Sequence, residues 1–199
     1  MIHHFMPKPL QEMSNEELWE LFPIIISEHN PEWKNRYLAE KALIEKKIGT
    51  DIVRINHIGS TAVEGLLSKP TIDILVEIRV IADTDKLIKA MTESGYIFSP
   101  QPENPAPHMM FLKGYTTEGF RGQAFHVHIR YSGDWDELYF RDFLILNPEA
   151  AQEYGKLKLK LKECFEHDRD EYTNAKTEFV KKYSELARRE FGARYKPQP

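Results

Sequence analysis

The chain has 199 residues, 41% of them hydrophobic, which suits one domain with a substantial core and leaves little room for a second. A net charge of −4 argues against a general nucleic-acid binder, and no stretch approaches the roughly 20 apolar residues that a membrane helix needs. The single cysteine, Cys164, excludes an intrachain disulfide, and Met1 to Leu10 lacks the apolar run of a signal peptide, so we expect a cytoplasmic protein.

The first third of the chain predicts two helices, each followed by a strand. A capping box begins a short helix over Ser14 to Leu21, and the apolar run from Phe22 to Ser27 predicts a short strand. Asn30 to Gly49 predicts a longer helix, because Asn-Pro starts it and glycine closes it. Asp51 to Ile58 predicts the next strand.

The middle of the chain predicts most of a sheet. Pro70 to Ile78 is the strongest strand pattern, and Asp83 to Ser94 is an amphipathic helix. Tyr96 to Ser99 predicts a further strand before a proline-rich loop. His108 to Gly114 and Gln123 to Tyr131 predict a pair of strands joined by a turn.

The end of the chain predicts helices. Asp134 caps one that runs to about Leu146, and Asn147-Pro148 starts another. Lys156 to Lys162 alternates Lys and Leu like a strand, but both residues favour helices and no β-branched residue is present. A last helix is predicted over Asp170 to Phe191. We therefore predict an α+β fold in a single domain over residues 1–199, with a core at about 22–132 and C-terminal helices at about 134–192.

Gly59, Ser60 and Thr61 follow a predicted strand and open the next turn. Glycine lets the backbone approach a ligand closely, and the two hydroxyls together with a following helix N-terminus suit a phosphate oxygen. The alternative interpretation is an ordinary strand-to-helix turn with a hydroxyl cap.

Asp73 lies in the middle of the apolar strand that begins after Lys69. A buried carboxylate is costly unless it is paired or bound to metal, which makes Asp73 a candidate catalytic or metal-binding residue. Lys69 fits either a phosphate or an ion pair with Asp73, and we expect Glu77 near the solvent end of the strand.

His126, His128 and Arg130 alternate with apolar residues on one strand, so they share a face. Two imidazoles at this spacing can hold a metal ion or flank a phosphate. The alternative is a solvated edge strand.

Three residues of the C-terminal helices could also reach a cleft, although surface or packing roles explain them equally: Lys158, Tyr172 and Lys176. We expect Cys164 to lie in the core.

Several separated motifs together resemble the GrpB-like family over roughly Ile26 to Ala187. They are the run from His57 to Val76, the His126-Val-His128 triplet, Phe140 to Leu144, Asn147-Pro148-Glu149, and Tyr172 to Lys176. The resemblance implies a nucleotidyltransferase-superfamily fold, with a mixed β-sheet flanked by helices. It also implies a Gly-Ser turn that binds triphosphate, carboxylates that hold divalent metal, and a place in coenzyme A or nucleotide metabolism.

The chain departs from the superfamily pattern at the positions of the carboxylates that bind metal. Aligning the Asp-x-Asp pair on Asp73 puts Thr71 at the first carboxylate, and imidazoles occupy the region of the third. One carboxylate and two imidazoles suit zinc, manganese, nickel or iron better than magnesium. A divalent metal (Mg, Mn or Zn) bound by Asp73, His126 and His128 is therefore the expected cofactor.

The leading hypothesis is an enzyme that binds a nucleotide or another phosphorylated small molecule. Asp73, His126 and His128 would bind metal or act in catalysis. The residues expected to bind phosphate or stabilise negative charge are Gly59, Ser60, Thr61, Lys69, Arg130, Arg141, Lys158, Tyr172 and Lys176. The alternatives are a ligand-binding protein of the same fold that has lost catalysis, and a partner-binding protein. The sequence leaves the oligomeric state open.

Overall fold

The structure is a computed structural model that describes residues 8–197. Residues 1–7 and 198–199 lie outside the described part. Both ends of the predicted domain therefore lie outside it, as does the beginning of the segment from Met1 to Leu10. Within residues 8–197, no helix is both long and apolar enough to cross a bilayer.

A five-stranded sheet is the centre of the described chain, and helices cover both of its faces. The strands are β1 (Ile52–Ile58), β2 (Thr71–Ile78), β3 (Ile97–Pro100), β4 (Met109–Thr116) and β5 (Gly119–Tyr131). The helices are α1 (Asn15–Leu21), α2 (Glu32–Ile48), α3 (Thr84–Thr92), α4 (Asp136–Leu146), α5 (Pro148–Phe165), α6 (Arg169–Asn174) and α7 (Thr177–Phe191). This mixed arrangement confirms the predicted α+β class and the helical C-terminal extension.

The sheet order is β1-β2-β5-β4-β3, and only the β2–β5 pair is parallel. Ile72, Ile74 and Val76 of β2 point to one face, where they pack with buried residues of α2 and α3. The alternate residues of β2 point to the opposite face, on which Leu75 packs against Leu138 of α4. Because side chains alternate along a strand, Asp73 lies on this second face, under the C-terminal helices.

The Lys-Leu alternation is part of α5, as the residue propensities predict. Leu161 is buried with Tyr172 of α6, and Leu157 packs in the same cluster. A helical stripe can bury Leu161 while Lys156 and Lys160 stay exposed, and it turns Lys158 inward.

The predicted strand from Phe22 to Ser27 is wrong. The segment is extended but forms one isolated bridge, between Ser27 and Ser68. The backbone nitrogen of Ile24 donates to the carbonyl of Glu166, and the Ile24 side chain is buried against Leu161. Its apolar residues therefore pack against C-terminal helices instead of joining the sheet.

Four smaller expectations also need correction. The last predicted helix is two helices, α6 and α7, separated at Ala175–Lys176. Asp134 does not cap α4, because Trp135 occupies that position. Cys164 is exposed and not in the core. Glu77 is fully buried, where it pairs with Arg54 and accepts a hydrogen bond from the nitrogen of Gly133 at 3.0 Å.

Candidate functional site

Asp73, His126 and His128 converge on the sheet face below the C-terminal helices. The parallel register of β2 and β5 places Asp73 opposite His126, and His128 follows two residues along β5. Asp73 Oδ1 lies 3.3 Å from His126 Nδ1 and 3.7 Å from His128 Nε2. One ligand atom from each residue lies within 4.8 Å of the others, which is a spacing that one metal ion can bridge.

The protonation states of this cluster suit metal binding. Burial would raise the pKa of Asp73, but hydrogen bonds from His126 and His128 outweigh it and hold the pKa well below the usual range. Burial lowers the pKa of His126, against the opposing effect of Asp73. The cluster therefore holds an ionised carboxylate and a neutral imidazole, the forms in which both residues donate electron pairs to a cation.

Tyr115 orients His126 from the side away from Asp73. The Tyr115 hydroxyl lies 2.6 Å from His126 Nε2, and the two rings stack with centroids 5.7 Å apart. This contact leaves Nδ1 of His126 facing Asp73. A hydrogen bond to the second ring nitrogen is the usual way in which proteins fix the orientation of a metal-binding histidine.

Gly59 lies directly against Asp73. Its backbone has φ of +70° and ψ of −173°, a region that residues with a side chain rarely adopt. A Cβ built at Gly59 would lie 2.5 Å from Asp73 Oδ2. The absence of a side chain is therefore what allows this turn to approach the carboxylate.

We expect Gly59→Ala to destabilise the protein and disrupt the cluster. The added methyl group would need both a strained backbone and a displaced Asp73 carboxylate, a combined cost of roughly 3 kcal/mol or more in the free energy of unfolding. Gly65→Ala is the matched control, because Gly65 also has a positive φ, +75°, but no neighbouring atom within 4 Å of the added Cβ. Urea unfolding should show a loss of only about 1 kcal/mol for Gly65→Ala. Equal losses in the two variants would contradict the proposed contact.

The turn after Gly59 is shorter than expected and uses its hydroxyls differently. A single 3-10 turn, Ser60–Ala62, replaces the predicted helix N-terminus. Ser60 lines the cavity beside Asp73. Thr61 is buried, and its hydroxyl lies 2.9 Å from Nε2 of His57, so it holds the turn in place and does not line the cavity.

A cavity of about 200 Å³ adjoins Asp73 and contains three lysines from separate parts of the chain. Lys69 precedes β2, Lys158 lies on α5, and Lys176 links α6 to α7. Two of the amines lie over tyrosine rings. Nζ of Lys176 lies 4.1 Å from the ring centre of Tyr172, and Nζ of Lys158 lies 4.6 Å from that of Tyr154. The packing of the C-terminal helices on the sheet therefore brings three amines together in one pocket.

Burial lowers the pKa of all three amines, and repulsion from nearby positive charges lowers it further: Arg169 acts on Lys69 and Lys176, and the other two lysines act on Lys158. The pKa falls to about 6 for Lys158, about 7 for Lys69 and about 8 for Lys176. Lys158 is only 3% exposed, and its Nζ has no hydrogen-bond partner among residues 8–197. An anionic ligand would supply the missing partner and favour the charged amines.

We expect the unfolding free energy of the ligand-free protein to rise between pH 7.5 and 9.5. The folded pKa of these amines lies below their ordinary value of 10.5, so in this range the unfolded chain binds more protons than the folded chain. The unfolding free energy rises by up to about 1.4 kcal/mol per pH unit for each amine that is neutral in the folded protein and charged in the unfolded chain. Urea titrations at several pH values would measure it. A flat profile would show that the amines are not buried together.

Two arginines that the sequence suggested for the site lie elsewhere. Nη1 of Arg130 pairs with Glu137 at 2.6 Å, and the guanidinium lies over the ring of Trp135. Nη1 of Arg141 donates to the carbonyl of His57 at 2.9 Å, and its other nitrogens bond Asp142. Neither arginine lines the lysine cavity. The structure instead brings together the other predicted residues, namely Gly59, Ser60, Lys69, Asp73, His126, Lys158, Tyr172 and Lys176, with His128 beside Asp73.

Sequence reasoning missed Tyr115 and Tyr154, and it considered Thr71 only as the residue at the position of the first carboxylate. Thr71 and Tyr154 line the cavity, and Tyr115 bonds His126. Alternation along β2 places Thr71 on the same face as Asp73. In the sequence, Tyr154 belongs to a helical apolar stripe, and no pattern distinguishes it as a residue of the site.

Comparison with known proteins gives consistent matches over most of the chain. The family model described as "GrpB protein" matches residues 23–186. Glutamate-rich protein GrpB of Alkalihalophilus pseudofirmus is 35% identical over 79% of this chain and 91% of its own length. A UPF0157 protein of Pseudomonas aeruginosa is 36% identical over 76% of this chain but 62% of its own length. The crystal structure of the conserved protein GrpB from Enterococcus faecalis aligns with a TM-score of 0.74 and 28% identity, over 84% of this chain and 99% of that one.

Proposed function

The chain belongs to the GrpB family, and on that premise we propose that it binds a nucleotide or another phosphorylated small molecule beside a divalent-metal site. The metal ligands are Asp73, His126 and His128. The phosphoryl group occupies the cavity lined by Lys69, Lys158 and Lys176.

The observation that carries this proposal is the buried amine of Lys158, which has no hydrogen-bond partner in the described part of the chain. Burying a polar group without a hydrogen-bond partner typically costs about 1–3 kcal/mol in proteins. Two further lysines in the same cavity add repulsion whenever they are charged. Contacts with tyrosine rings offset only part of this cost in the empty protein, and the amines provide several charge-assisted donors for a phosphoryl group.

The three proposed metal ligands fit a transition metal better than magnesium. Two imidazoles and one carboxylate leave further coordination positions open, as in catalytic zinc sites and in 2-His-1-carboxylate iron sites. A bound metal would act as a Lewis acid on a phosphoryl oxygen. Asp73 and the neutral His126 would hold it, while the lysines would bind the remaining phosphoryl oxygens. Tyr115 would keep His126 in orientation.

Metal-dependent transfer of a nucleotidyl group is the reaction that we propose for this site, in line with the fold that the family resemblance implies. Asp73 is the one carboxylate among the residues that line the cavity within residues 8–197. Thr71, two residues earlier on the same face, carries a hydroxyl in place of a second carboxylate. This observation favours a second candidate function, in which the protein binds the ligand without turning it over.

Elemental analysis of the purified protein, paired with a thermal-shift screen, tests the proposal. The screen contains nucleotides and inorganic phosphate, each with chelator, Mg²⁺, Mn²⁺ or Zn²⁺. Because ligands that bind only the folded state raise its unfolding temperature, we expect a metal-dependent shift with at least one phosphorylated compound.

The outcomes separate the two candidate functions. A shift with turnover of the nucleotide supports transfer, whereas a shift without turnover under any metal supports the binding protein. The proposal fails if the protein retains no metal and no phosphorylated compound changes its unfolding temperature.

A further inference from the structure

An apolar groove of about 410 Å³ lies on the same sheet face as the proposed metal site. Its floor comes from β3 and β4, where Met110 pairs with His128 and Leu112 pairs with His126 in register. Its other wall comes from α1. The main apolar lining residues are Leu18, Trp19, Ile97, Met110, Leu112 and Tyr115.

The groove and the lysine cavity are neighbours that share His126. Tyr115 also lies at the boundary, because its ring lines the groove and its hydroxyl bonds His126. Arg169 lines the groove, and its guanidinium lies 5.9 Å from the ring centre of Tyr115. The groove therefore combines an apolar interior with one charged residue of each sign, Arg169 and Asp170.

The lysine cavity is too small to hold the sugar and base of a nucleotide as well as its phosphoryl group. Ligand-binding clefts typically measure about 300–1,000 Å³, whereas this cavity of about 200 Å³ holds a phosphoryl group and little more. The groove supplies the missing volume. A further cleft shares Lys69 and Thr71 with the lysine cavity, but Arg36 and Gln123 of its lining already bond each other, since Arg36 Nη1 donates to the amide oxygen of Gln123 at 2.8 Å.

We propose that this groove binds the base of a nucleotide whose phosphoryl group lies in the lysine cavity. Trp19 and Tyr115 offer aromatic surfaces to a planar ring, and Ser99 and Gln11 offer polar groups to its edge. Base–aromatic stacking tolerates different bases, because each presents a π face. The inference rests on the proposed function and assigns the part of the ligand that the lysines do not reach.

Calorimetric titration with two matched probes tests the assignment. One probe is a nucleoside monophosphate, tried as AMP, GMP, UMP and CMP. The other is methyl ribofuranoside 5-phosphate, which keeps the sugar and phosphate but lacks the base. We expect at least one nucleotide to bind roughly tenfold more tightly than the base-free compound.

Ser99→Trp should fill the groove and remove this advantage while leaving the base-free compound unaffected. Ser99 is half-buried on β3, opposite Met110. Val53→Trp is the control, because Val53 is 53% exposed on β1, at the other edge of the sheet. It should change neither affinity, and the circular dichroism of all three proteins should agree.

The other outcomes overturn the assignment in distinguishable ways. If all the phosphates bind equally, or if the preference survives Ser99→Trp, the groove does not hold the base. If adenosine binds as tightly as AMP, and equally well in Lys158→Met, the groove and the cavity take separate molecules. If no phosphate compound binds, with or without metal, the proposed function itself fails and the assignment falls with it.

Discussion

Asp73→Asn should abolish metal binding while the protein stays folded. The amide has the same shape as the carboxylate but removes the single negative charge among the three proposed ligands. Losing a group that merely orients a ligand typically costs 10–100-fold in metal affinity, so losing a direct ligand should weaken binding by roughly 100-fold or more. Metal content by elemental analysis and zinc affinity by competition with a chromophoric chelator would measure the effect.

The charge of Asp73 also matters to the neighbouring lysines. Asp73 raises the pKa of Lys69, Lys158 and Lys176, opposing the effect of burial. Its removal should therefore leave these amines less protonated and weaken phosphate binding even without metal. Asp85→Asn is the matched control, because Asp85 is exposed on α3, far from the cluster in the sheet. Wild-type zinc affinity in Asp73→Asn would contradict the metal site.

Lys158→Met should make the empty protein more stable and phosphate binding weaker. The methionine has similar length and removes a buried amine that lacks a hydrogen-bond partner. Because this buried amine is removed, the unfolding free energy at pH 7 should rise by about 2 kcal/mol. Loss of a donor to a charged phosphoryl oxygen costs about 1.5–3 kcal/mol, so the dissociation constant should rise roughly 10–100-fold.

Lys160→Met separates this effect from a general loss of positive charge. Lys160 lies two residues away on α5 and is exposed, so its substitution should change stability and phosphate affinity little. Urea unfolding and phosphate titration would be run on both variants. If Lys158→Met destabilised the protein, or left phosphate affinity unchanged, Lys158 would be a packing residue and not a ligand for phosphate.

Several features of the candidate site follow from local sequence pattern. The alternation of β5 places His126 and His128 on one face, and the alternation of β2 separates Asp73 from the apolar core residues. Gly59 was identified by its place after a strand, and its positive φ explains why glycine is needed there. The two predictions about strand faces are confirmed, because each depends on residues only a few positions apart.

The local pattern failed where long-range packing decided the outcome. Phe22 to Ser27 has the apolar character of a strand, but Ile24 packs against the C-terminal helices. Glu77 reads as a solvent-facing residue near a strand end, yet Arg54 on β1 pairs with it and permits full burial. Arg141 resembles a phosphate ligand, but its contacts with His57 and Asp142 hold it outside the cavity.

The sequence by itself determined the α+β class, the order of most elements and the face of each strand on which the polar residues lie. The tertiary structure alone decided that β2 pairs in parallel with β5, which brings Asp73 to His126. It also decided that Lys158 and Lys176 meet Lys69 across more than 80 residues of chain. The physical reason is that periodicity and propensity act between near neighbours, whereas strand pairing and helix packing are set by burial between distant segments.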